Sequence, residues 1–147
     1  MPRTAALAVA LLAAAFAGAV AAAPVKTPHV EAELVSERTA FVPGQATTVA
    51  LRLKMADGWH TYWRNPGDSG LPTTLAWKLP AGVAAGDIQW PAPHALPAGP
   101  LVNFGYEGEV LLLTDVKVAA DARPGDTLAL AAKAEWLVCR ETCIPEE

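Results

Sequence analysis

Thr127-Leu128-Ala129-Leu130-Ala131-Ala132-Lys133-Ala134-Glu135-Trp136-Leu137-Val138-Cys139-Arg140-Glu141-Thr142-Cys143-Ile144-Pro145 decides the fold. Leu128, Leu130, Ala132, Ala134, Trp136 and Val138 fall on one side of an extended chain. Thr127, Ala129, Ala131, Lys133, Glu135 and Leu137 fall on the other. A period of two is that of a strand. Cys139 continues the more polar Lys133/Glu135 side and is expected near solvent. On one continuous strand Cys139 and Cys143 would stand roughly 13 Å apart, beyond disulfide reach. Across a hairpin their Cα atoms come within about 4.5–6 Å. Arg140-Glu141-Thr142 then forms a three-residue turn that sets Cys143 opposite Cys139. The residues leave three uses of the pair open. It could be a structural staple, which so short a loop would make worth about 2 kcal/mol. It could be a reversible dithiol. It could be a soft Cu(I) site with Met55 or His60 added.

Outward from this stretch the chain keeps the same grammar. Val30, Ala32 and Leu34 alternate with polar neighbours, and Val49, Leu51, Leu53 and Met55 do so again. Pro43-Gly44, Asp57-Gly58 and Pro124-Gly125 are turn signals. Trp59–Trp63, Thr73–Leu79, Asp87–Trp90 and Glu109–Val118 read as further strands. Arg64–Pro72 and the proline- and glycine-rich Pro91–Gly108 read as loops. No amphipathic helix is evident, so an all-β antiparallel sandwich is expected.

The first residues read as a secretory signal over residues 1–22. Arg3 is its basic end, Ala5–Ala17 its apolar stretch, and Ala19–Ala23 its cleavage region. The mature domain is expected over residues 23–147. It carries ten basic and fifteen acidic side chains, a formal charge of −5, with no basic patch. Nucleic acid and anionic membrane surfaces are thereby disfavoured, and no small-molecule substrate is indicated. Export would put the cysteines in an oxidising compartment where disulfides persist. Only four residues follow Cys143, fewer than the five or so of a common strand. The sequence is accordingly expected to be a fragment of a longer protein.

His29, His60 and His94 are scattered and form no zinc-type spacing. No nucleophile triad or phosphate loop is present. Asn103-Phe104-Gly105-Tyr106-Glu107-Gly108 stands out, with two aromatics on a glycine-flanked segment. It reads either as a turn packed on the sheet or as a lid.

Three ordered motifs suggest a family. They are Gly58-Trp59-His60-Thr61-Tyr62-Trp63-Arg64-Asn65-Pro66-Gly67-Asp68-Ser69-Gly70-Leu71-Pro72, the Asn103–Gly108 segment, and Trp136-Leu137-Val138-Cys139…Cys143-Ile144-Pro145. Together they resemble the periplasmic N-terminal domain of DsbD-type thiol:disulfide interchange proteins, in particular the ScsB branch, over roughly residues 29–147. The resemblance implies an immunoglobulin-like sandwich, a redox-active Cys139–Cys143 pair and no cofactor. It implies a place within a protein-disulfide reductase of the inner membrane. Electrons would come from a membrane domain through a thioredoxin-like domain to this pair. They would pass on to periplasmic disulfide oxidoreductases. Cys143 would form the mixed disulfides and Cys139 would resolve them. Asn103, Phe104, Gly105 and Tyr106 would form a cap loop, with Phe104 and Tyr106 shielding the sulfurs. The cysteine spacing is shorter than in the best-known members. Arg140 is the only cation beside the pair, with Glu141 next to it, so no strongly depressed thiol pKa is expected.

Overall fold

A computed structural model describes residues 23–147; the expected signal peptide lies outside the described residues. The elements are β1 (Val25–Lys26), β2 (Val30–Ser36), β3 (Ala46–Met55), β4 (His60–Gly67), β5 (Thr74–Lys78), β6 (Val83–Ala85), β7 (His94–Ala98), β8 (Leu101–Glu107), β9 (Glu109–Val118), β10 (Ala131–Cys139) and β11 (Cys143–Glu146). Among the described residues there is no helix, and none long and apolar enough to cross a membrane.

Two antiparallel sheets form, in the orders β1-β2-β3-β9-β6 and β11-β10-β4-β8-β7, with β5 also paired to β10. The alternation seen in the sequence decides which faces meet. On β3, Thr47, Val49, Leu51, Leu53 and Met55 turn inward. Opposite them, β9 buries Val110, Leu112, Thr114 and Val116. The second sheet contributes Tyr106, Trp136 and Val138 to the same core. Leu53 and Val138 are wholly shielded from solvent. Each such large aliphatic side chain contributes about 1.5–3 kcal/mol.

Several boundaries differ from the expectation. The cysteine strand begins at Ala131, because Thr127–Leu130 find no partner strand. β4 runs on through Gly67 past an irregularity after Tyr62, where a loop was expected from Arg64. Asp87–Trp90 is no strand; Gln89 makes a single bridge to Leu113, and the edge is filled by β6 instead. The largest correction concerns Pro91–Gly108, expected as a loop. It holds the β7–β8 hairpin. Pro97 obscures it in the sequence, but β7 is the outer strand of its sheet, where a missing N–H is tolerated.

Candidate functional site

Cys139 ends β10 and Cys143 begins β11. The two are register partners joined by a disulfide, with Cα atoms 4.1 Å apart. This is the hairpin that the alternation implied. Trp136 and Val138 point into the core, so Cys139 faces the opposite way, onto the outer face of the sheet. Register carries that face across the neighbours. Cys139 lies opposite His60, His60 opposite Glu107, and Tyr62 opposite Gly105.

The expectation that the pair lies near solvent holds for Cys143, which is exposed, and fails for Cys139, which is 2% exposed. The reason is tertiary. The outer face is not bare, because the segment between β4 and β5 folds back over Tyr62, whose hydroxyl stands beside the disulfide. Gly70 presses so closely on the Tyr62 ring that an added Cβ would sit 2.3 Å from it. Tyr62 is itself 2% exposed. The roof is pinned at two points. The Asn103 side-chain oxygen accepts from the Ser69 N–H at 2.9 Å and from the Ser69 hydroxyl at 3.1 Å. Asp68 accepts from the Val102 N–H at 2.8 Å.

Beneath this roof the Tyr62 hydroxyl stands 3.7 Å from Cys143 Sγ and 3.3 Å from His60 Nε2. Burial pushes the Tyr62 phenol up from its usual value, so it keeps its proton at neutral pH. Burial also lowers His60, against an upward pull from Glu107, so the imidazole stays neutral near pH 7. The phenol can therefore donate to the imidazole while the sulfur is in a disulfide. It can donate to Cys143 once that sulfur becomes a thiolate, the stronger acceptor.

A second cluster holds the cysteine hairpin to the opposite sheet. Glu146, on β11, accepts from the Thr27 hydroxyl and pairs with His29 Nδ1 at 2.7 Å. The His29 ring packs on Trp59 with centroids 3.8 Å apart. The Arg140 guanidinium lies 5.2 Å from the centroid of the same Trp59 ring. The one cation beside the cysteines is thus engaged by an aromatic face.

The expected cap residues are redistributed. Asn103, Phe104, Gly105 and Tyr106 are all in β8 rather than in a loop. Asn103 and Gly105 share the outer face with Tyr62, Asn103 as the anchor of the roof. Tyr106 opposes Thr61 and points into the core, its hydroxyl donating to the Pro91 carbonyl at 2.8 Å. Burial pushes its pKa up to about 12. Phe104 alternates with Gly105 and so lies on the Tyr106 side, 37% exposed. Neither ring is on the face of the disulfide; Tyr62 holds that place. Met55, named with His60 as an added ligand under the copper alternative, sits in the core, where it accepts from the Thr61 hydroxyl at 3.9 Å. The sequence gives Tyr62 and Gly70 no role beyond their place in the Gly58–Pro72 motif. Counting by twos from His60 would have found Tyr62, had aromatics not occupied both sides of Trp59–Trp63.

The family model for the N-terminal region of thiol:disulfide interchange protein DsbD matches residues 31–147. The chain belongs to the DsbD N-terminal family. No curated protein sequence matches it. Among solved structures, the N-terminal periplasmic domain of ScsB from Proteus mirabilis is similar, with 21% identity and a TM-score of 0.62. That match covers 84% of this chain and 47% of the ScsB chain, so the chain spans about half the length of the solved domain. The fold is accordingly the immunoglobulin-like sandwich of the DsbD N-terminal domain. The chain carries the disulfide-bonded cysteine pair that thiol–disulfide interchange requires.

Proposed function

We propose that this DsbD-type domain relays reducing equivalents in the periplasm through a reversible Cys139–Cys143 disulfide. The observation that carries the reading is the asymmetry of the pair: Cys143 is an exposed residue with its Sγ beside a buried phenol, and Cys139 is almost wholly covered. A partner sulfur can approach Cys143 in line while Cys139 waits behind it. In the reduced domain the Cys143 thiolate attacks a substrate disulfide and displaces one substrate thiolate. Cys139 then attacks Cys143 Sγ, releases the second substrate thiolate and leaves the domain oxidised. Two electrons have moved to the substrate. A thioredoxin-like dithiol of the parent protein restores the pair by the reverse sequence. The substrates are periplasmic disulfide oxidoreductases, and the parent protein resides in the inner membrane. The periplasmic location of the similar ScsB domain supports this placing.

The test is the equilibrium potential of the pair against a glutathione buffer, read by trapping free thiols. A value of roughly −270 to −120 mV is expected, within the range of thioredoxin-like oxidoreductases. A value below about −300 mV would mark a structural staple and end the relay reading.

Tyr62→Phe removes the hydroxyl and keeps the ring under Gly70. The reduced variant is expected to show a higher Cys143 thiol pKa and about threefold to tenfold slower exchange at neutral pH, because a hydrogen bond to the thiolate is lost. Alkylation rate against pH reads both. An unchanged profile would remove Tyr62 from the chemistry.

A further inference from the structure

Beside the disulfide, the outer face of β10 and β11 carries an open trough of about 550 Å³. Leu137 opposes Pro145, just as Cys139 opposes Cys143. Residues two apart on a strand share a face, so the Leu137–Pro145 rung follows the cysteine rung at about 7 Å. That rung lines the trough together with Leu71 and Pro72 of the roof segment. The segment is pinned at Asp68 and Ser69, yet it holds Leu71 out 64% exposed. The rim is acidic. Lys133 is shared between Glu135 and Glu147, leaving one carboxylate in excess.

Resting on the exchange reading above, we propose that this trough receives an extended segment of the partner polypeptide next to its reactive cysteine. The segment places an apolar side chain between Leu71 and the Leu137–Pro145 rung, and Glu135 and Glu147 favour a basic flank. A mixed disulfide fixes the partner's sulfur on Cys143 Sγ. The roof covers the face on the Tyr62 side, which leaves the line of β10 and β11 as a way off the site. An extended chain advances about 3.3 Å per residue, so the side chain two positions from the partner's cysteine reaches the next rung. The trough thus begins one rung from the cysteine pair, and it selects among partners by what flanks their cysteine.

The test uses the oxidised protein and three thiol probes: reduced glutathione, the peptide Lys-Ala-Cys-Ala-Leu-Lys, and the same peptide with serine for leucine. In each reaction the probe thiolate attacks Cys143 Sγ and the Cys139–Cys143 bond breaks. A mixed disulfide forms, and Cys139 leaves as a thiolate that takes a proton from water. Rates are normalised to each probe's exchange with oxidised glutathione. The leucine peptide is expected to react about fivefold faster than the serine peptide. In Leu71→Ser, a change at an exposed position, the ratio of the leucine-peptide rate to the serine-peptide rate falls to about one. Equal peptide rates on the unaltered protein, with glutathione reacting, would overturn the groove and leave the exchange function standing. Failure of all three probes to open the disulfide would overturn both.

Discussion

A Cys139→Ser variant should accumulate a stable mixed disulfide at Cys143 when mixed with oxidised glutathione, and should lose multiple-turnover exchange. The exposed thiolate still attacks, but the buried resolving thiol is gone. The mirror variant Cys143→Ser should form the corresponding adduct at Cys139 about a hundredfold more slowly or worse, because Cys139 is 2% exposed and attack requires access. Both variants lose the same short-loop disulfide, worth about 2 kcal/mol. Their difference therefore reports reactivity rather than folding. Mass spectrometry of the alkylated mixtures gives the adducts and their rates. Equal rates at the two positions would dismiss the division of labour between the cysteines.

The second large effect is one of stability. Gly105 was expected to belong to a cap loop, and its place in β8 gives it a different task. A Cβ built there meets the Thr61 carbonyl oxygen at 2.0 Å and Leu96 Cδ1 at 3.0 Å. The first neighbour is backbone of the paired strand and cannot rotate away. Gly105→Ala should therefore force β4 and β8 apart beside the Tyr62–Gly105 and Thr61–Tyr106 pairs. The expected cost is about 3 kcal/mol, which is about 10 °C in melting temperature for a domain of this size. Gly86→Ala is the control, since its nearest atom would be the Asp115 carbonyl at 3.7 Å. That change should stay within about 0.5 kcal/mol. Thermal denaturation of both reads the comparison, and equal midpoints would show that the strands accommodate the methyl group.

The cysteine hairpin was legible because a period of two and a three-residue gap are local facts. So was the inward face of β3, where the four alternate residues Val49, Leu51, Leu53 and Met55 carry the signal. The β7–β8 hairpin was not, because prolines and glycines mimic a loop, and only its position at the sheet margin makes them acceptable. For the same reason the sequence presents Asn103 to Tyr106 as one aromatic unit, whereas alternation along β8 sends its odd and even members to opposite faces.

By itself the sequence determined an all-β sandwich and a Cys139–Cys143 pairing across a hairpin. Strand period and turn chemistry act between residues close in the chain, so they can be read without the fold. Tertiary structure alone decided that Cys139 is covered while Cys143 is open, and that Tyr62 rather than Phe104 or Tyr106 stands at the sulfur. It also turned the segment after β4 into a roof held by Asn103. These depend on which strands lie side by side and on what folds over their outer face. They are set by contacts between residues 34 and 81 positions apart, which local periodicity does not encode.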